Sequence, residues 1–180
     1  MKAIRKSAVA LLAAGTMVFA SCGKQASAAG GETMAGKTDS VRAENIDDYA
    51  KKSMFPVGEP NSGFAQYFSG DTWLAPLNSE DAFIANVTFE PGAVNNWHVH
   101  HGEAQILIGV GGRGWVQFEG EAARPINEGD VVRIPPEVKH WHGAAKDSWF
   151  SHLSMSVRSG EGNGTDWLEP VDRGGYDALE

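Results

Sequence analysis

The chain has 180 residues, 42% of them hydrophobic, which is enough for one domain with one core and too little for two of ordinary size. Its 15 basic and 23 acidic residues leave a formal charge of −8, and so acidic a surface repels a phosphate backbone, excluding nucleic acid as a partner. A single cysteine excludes a disulfide framework.

The chain opens with a basic head at Lys2, Arg5 and Lys6 and an apolar run from Ala8 to Ala20. A bilayer span needs roughly 20 apolar residues, so residues 1–21 read as an export signal. Cys22 follows Phe19-Ala20-Ser21, which resembles the lipobox of bacterial lipoproteins, although Phe19 stands where Leu is usual. That resemblance implies cleavage before Cys22, lipid attachment to its sulfur and a membrane-anchored lipoprotein on the periplasmic or outer-membrane face of the cell envelope. The rival reading is ordinary cleavage after Ala26-Ser27-Ala28, which leaves a soluble periplasmic protein. Cleavage before Cys22 removes the three basic residues of the head, taking the charge from −8 to −11.

Residues 22–40 are small and polar and read as a flexible tether. Residues 41–62 form an N-terminal arm, whose segment RAENIDDYAKKSMF fits a short helix or an extended strap equally. Residues 63–180 then form a single all-β domain. Ala85, Val87 and Phe89 alternate with Asn86, Thr88 and Glu90, the pattern of a strand with one buried face, and Pro91-Gly92 ends it. QILIGV is apolar throughout; GGRG is expected to turn the chain, and WVQFEG to begin another strand. ARPI, VVRI, VKHWH and SWFSHLSMSV follow, separated by turn residues. Short strands at this spacing indicate an antiparallel sandwich or barrel. Trp167 and Leu168 in the tail are expected to pack back on it. Trp97, Trp115, Trp141 and Trp149 are expected in the core or a subunit contact, and Lys139 and Arg133 in solvent.

Five of the six histidines lie in two short stretches, WHVHHG and KHWHG. Residues two apart on a strand share a face, so His98 and His100 project together while His101 points away, and His140 and His142 form a second pair. Four unpaired imidazoles in an apolar interior would leave many polar atoms to satisfy, and a shared divalent metal resolves this. His142 can point into the same cavity without reaching the ion. There its imidazole would serve as a general base or would orient a ligand or water.

The spacing Gly92, five residues, His98-x-His100, four residues, Gln105, six residues, Gly112 resembles the first motif of the cupin superfamily. Gly129, five residues, Pro135 and then His140 resembles the second, with Glu137 where the motif has glycine. The resemblance implies a double-stranded β-helix, or jelly-roll, with His98, His100, Gln105 and His140 as metal ligands. Most cupins carry Glu at the position of Gln105, and Glu103 is a rival ligand with a true carboxylate.

Gly114–Gln117, Gly129–Ala145, Ser151–Leu153 and Thr165–Val171 further resemble small bacterial cupins that include manganese-dependent (R)-hydroxynitrile lyases and carboxymuconolactone-decarboxylase-associated cupins. That likeness implies manganese, though iron, nickel or zinc suit the same donors. It places His142 and His152 in the pocket beside the metal, with Ala85 and Val87 lining it. The resemblance implies a metal-dependent carbon–carbon lyase acting on a small oxygenated molecule, in a homodimer or larger assembly. A metal-dependent dioxygenase and a non-catalytic metabolite- or metal-binding cupin are the alternatives. The loop from His100 to Gln105 is one residue longer than in those lyases and contains Glu103.

Overall fold

The computed structural model describes residues 44–80, 82–158, 162 and 164–180. The export signal, Cys22 and the tether over 22–40 lie outside the described residues. Among the described residues no helix is long and apolar enough to cross a membrane.

Helix α1 (Ile46–Lys52) comes first. Asn45 caps it by accepting from the Asp48 N–H at 3.0 Å, and Asp47 and Asp48 precede Lys51 and Lys52 in the order that a helix dipole favours. The strands then run β1 (Glu59–Pro60), β2 (Phe68–Ser69), β3 (Thr72–Asn78), β4 (Ile84–Phe89), β5 (Val94–Asn95), β6 (His98–His100) and β7 (Glu103–Phe118). They continue as β8 (Arg124–Asn127), β9 (Val131–Ile134), β10 (His140–Ala144), β11 (Phe150–Arg158) and β12 (Thr165–Trp167), before helix α2 (Arg173–Asp177).

All pairings are antiparallel. On one side β1, β3, β4, β11 and the first half of β7 lie in order, with β9 beyond; on the other, β8 pairs the second half of β7, followed by β10. Along β10 sit β5, which leads to β2, and β6, which leads to β12. Val87, Phe89, Leu107 and Phe150 from the first sheet meet Val116, Ile126 and Ala144 from the second in one core. Each such side chain, fully buried, contributes roughly 1.5–3 kcal/mol. This is the expected all-β jelly-roll.

Three local expectations need correction. GGRG does not turn the chain: β7 runs unbroken from one sheet into the other, and the glycines let it curl. Gly112 takes φ +69°, and a Cβ there would collide with the Trp149 carbonyl. β4 is buried on both faces, because the N-terminal arm covers the outer one. Asn86 Nδ2 donates to the Pro56 carbonyl at 2.9 Å, and Thr88 Oγ1 lies 2.7 Å from Ser151 Oγ, to which the Tyr49 hydroxyl of α1 also donates. Lys139 is not simply solvated, since its ammonium bridges Glu119 and Glu169 at 3.0 and 2.6 Å and lies over the Trp97 ring.

The two terminal segments dock alike. Tyr49 stacks on Trp149 with centroids 5.1 Å apart, and its hydroxyl lies where a Cβ on Gly111 would be. Tyr176 of α2 packs edge-on to Trp141 and donates to the Ala144 carbonyl, against Gly143. Of the four tryptophans expected in the core or a subunit contact, Trp115, Trp141 and Trp149 are buried within the chain, and Trp97 packs on Trp141.

Candidate metal centre

β6 and β10 pair with His98 opposite His140, so the backbone alone brings the two histidine stretches together. Ring centroids lie 4.0 Å apart for His98 and His140, 5.0 Å for His98 and His100, and 5.3 Å for His100 and His140. One nitrogen from each ring lies within 4.8 Å of the others.

The opposite nitrogen of each ring is engaged. His98 Nδ1 donates to the Asn96 carbonyl at 2.9 Å and His140 Nδ1 to the Val138 carbonyl at 2.8 Å, while His100 Nδ1 lies 2.9 Å from Thr165 Oγ1. A carbonyl can only accept, so the His98 and His140 protons are fixed on Nδ1 and their Nε2 lone pairs are left for another partner. His100 Nε2 is buried and has no hydrogen-bond partner among the described residues.

Burial above all, then the mutual repulsion of neighbouring imidazolium charges, pushes His98 well below its ordinary pKa. His140 falls to about 4, chiefly by burial, and burial lowers His100 as well. All three are neutral near pH 7, as metal ligation requires.

Gln105 completes the group. Its amide nitrogen donates to Ser154 Oγ at 3.0 Å, which leaves Oε1 3.1 Å from His140 Nε2. With the His140 proton on Nδ1, these are two acceptors facing each other. Roughly 3 Å is the spacing of two ligand atoms each about 2.1 Å from an ion between them at a right angle. Three neutral imidazoles and an amide oxygen therefore fit a divalent transition metal. The Glu103 carboxylate lines the cavity but lies outside the group of nitrogens that share a centre.

The cluster opens into a cavity of about 200 Å³. Ala85 and Val87 line it, as do His142 and His152, with Phe68, Leu74, Phe83 and Trp167 adding apolar wall. Trp167 lies against His98 at 4.8 Å and stacks on Tyr67 at 4.6 Å, so the tail packs back over the site itself.

His142 is buried, 5.6 Å from His98 and 4.8 Å from His152 between ring centroids, the latter edge to face. Burial first, then repulsion from the surrounding histidines, holds its pKa well below the ordinary value, and burial lowers His152 to about 4. Neither His152 nitrogen has a hydrogen-bond partner among the described residues. His101 stands apart on the surface between Glu137 and Asp166.

Sequence reasoning missed Asn95, Thr165 and Ser154. Asn95 is buried; its Oδ1 accepts from the His142 N–H at 2.9 Å, and its amide nitrogen lies 3.1 Å from His142 Nε2. Its one signal was a polar residue in the apolar run before His98.

Residues 85–154 match the cupin domain family. Over 121 residues the chain is 43% identical to the (R)-mandelonitrile lyase of Granulicella tundricola, covering 64% of this chain and 91% of that protein. The chain belongs to the cupin family. Among solved structures, this cupin is similar to a cupin-like protein from Thermotoga maritima, at 37% identity and a TM-score of 0.63, over 69% of this chain and 95% of that one. It also shares its fold with a predicted oxalate decarboxylase from Thermotoga maritima, at 22% identity and a TM-score of 0.52, over 61% of this chain and 96% of that one.

Proposed function

We propose that this cupin is a metal-dependent carbon–carbon lyase that splits an aryl cyanohydrin into an aldehyde and hydrogen cyanide. The observation that carries the reading is the division of the histidines. Three turn their free nitrogens to one centre beside Gln105, and a fourth, His142, stands neutral in the adjoining cavity. His98, His100, Gln105 and His140 would hold the ion, for which manganese(II) is proposed. Bound there, it would act as a Lewis acid, lowering the pKa of a hydroxyl toward that of a weakly basic imidazole.

The chain's own residues account for the rest. A cavity of about 200 Å³ exceeds the roughly 150 Å³ that takes up a benzene ring, leaving room for a carbinol and a nitrile. Phe68, Val87 and Trp167 offer the ring an apolar wall. His142 accepts the hydroxyl proton at Nε2, which gives up its contact with the Asn95 amide; the oxygen's electron pair becomes the second bond of the carbonyl, and the carbon–carbon bonding pair leaves with cyanide. The His142 proton then passes to cyanide, which departs as hydrogen cyanide, and the base is regenerated. Asn95 accepts from the His142 backbone N–H and orients the ring, and His152, edge-on to that ring, lines the same cavity. The similarity to a protein named as a mandelonitrile lyase supports the choice of substrate class.

The test is release of benzaldehyde from mandelonitrile by protein purified without chelator, with dissolved oxygen monitored. Turnover without oxygen uptake, abolished in His142→Ala at unchanged metal content, is the expected result. Oxygen uptake would make the protein an oxygenase, and full metal with no turnover of any cyanohydrin would make it a binding protein.

A further inference from the structure

Glu103 has no part in the chemistry above, yet its side chain lines the same cavity. It shares a strand face with Gln105, and Ser154 and Ser156 of the neighbouring strand β11 extend the same polar strip. Among the described residues the Glu103 carboxylate makes no hydrogen bond or ion pair; Arg158, its register partner on β11, is exposed and not within ion-pair distance. Glu103 is half-buried, so its carboxylate stands at the polar side of the cavity within reach of a donor on a bound molecule.

The loop that presents it is clamped. Glu137, which stands where the cupin motif has glycine, holds φ +62°, an unfavourable conformation for a side chain with a Cβ. In return it makes three bonds to the residues just before Glu103. Its N–H donates to the His100 carbonyl at 3.0 Å, its Oε1 accepts from the Gly102 N–H at 3.0 Å, and its Oε2 lies 2.6 Å from His101 Nδ1. His101 Nε2 in turn reaches Asp166 at 3.0 Å. The loop is thus braced from two other segments, and Glu103 follows immediately.

The geometry points to Glu103 as a specificity determinant that binds a cationic or hydrogen-bond-donating substituent on the ring of the substrate. Resting on the lyase reading, this makes the preferred substrate an aryl cyanohydrin with an ammonium or hydroxyl group remote from the carbinol.

Four stable aryl carbinols test this without turnover: para-(aminomethyl)benzyl alcohol, para-hydroxybenzyl alcohol, benzyl alcohol and para-carboxybenzyl alcohol. Each is titrated into metal-loaded protein, with binding read by calorimetry. The expected order is ammonium, hydroxyl, unsubstituted, carboxylate, with the ammonium compound binding about tenfold more tightly than benzyl alcohol, as one charged hydrogen bond supplies. Glu103→Gln should bring that ratio to within about twofold, whereas Glu121→Gln, which removes a charge from the exposed turn before β8, should leave it unaltered. Equal or tighter binding of the carboxylate, a ratio that Glu103→Gln does not change, an equal effect of Glu121→Gln, or no binding of any of the four would overturn the inference. Cleavage of mandelonitrile alongside any of these results would leave the lyase reading standing.

Discussion

Gln105 and His140 meet acceptor to acceptor: Oε1 lies 3.1 Å from Nε2, while the His140 proton is held at Nδ1 by the Val138 carbonyl. Two lone pairs at that distance repel unless a cation lies against both. Removal of metal is therefore expected to destabilise the fold. A ligand present at about a hundred times its dissociation constant adds about 2.7 kcal/mol. Thermal unfolding with and without chelator should show the midpoint fall on chelation and recover on adding manganese(II); an unchanged midpoint would mean that nothing binds there.

Thr165 holds His100 at Nδ1 from the tail, 65 residues away in sequence. Partners of this kind set the orientation and basicity of a ligand, and their loss commonly costs about ten- to a hundredfold in metal affinity. Thr165→Val should weaken manganese(II) binding by that factor while the far-ultraviolet spectrum and the unfolding midpoint of the metal-free protein stay as in the wild type. Undiminished affinity would remove Thr165 from the site.

How much of this was legible follows from sequence distance. His98, His100 and His140 could be read because a strand repeats every two residues and both stretches lie on strands that pair. The partners that orient them come from far away: Ser154 is 49 residues from Gln105, and Thr165 follows a glycine-rich loop that resembles a mere connection. The burial of Asn86 and Thr88 depends on an N-terminal arm whose conformation the sequence left open. GGRG carried the composition of a turn, and only the docking of Tyr49 and Trp149 against those glycines explains why a continuous strand needs them.

His152 is buried and neutral, with its pKa lowered to about 4 by burial, whereas in the unfolded chain it titrates near the ordinary 6.5. As pH falls below 6.5 the unfolded state takes up a proton that the folded barrel refuses, so stability is full above 6.5 and declines toward pH 4. From pH 7 to pH 5 this one group should account for about 2 kcal/mol, at roughly 1.4 kcal/mol per unit. Urea unfolding in chelator at both pH values should therefore show a smaller loss for His152→Phe than for the wild type. An identical loss in both would show that His152 is not the group responsible.

Gly143 leaves room for the Tyr176 hydroxyl, because a Cβ there would lie 2.6 Å from it and 2.5 Å from the Ala93 carbonyl. Gly143→Ala should destabilise by about 1–3 kcal/mol through overpacking. Tyr176→Phe, which keeps the ring against Trp141 but frees the space of the hydroxyl, should recover part of that loss in the double variant. Strict additivity of the two changes in denaturant unfolding would show that the contact is not shared.

The claim on which the rest depends is that His98, His100, Gln105 and His140 jointly hold one metal ion. Elemental analysis by mass spectrometry of protein purified without chelator tests it most directly. The predicted result is one transition-metal ion per chain in the wild type and almost none in a folded His140→Ala variant. Substoichiometric metal that is the same in both proteins would contradict it.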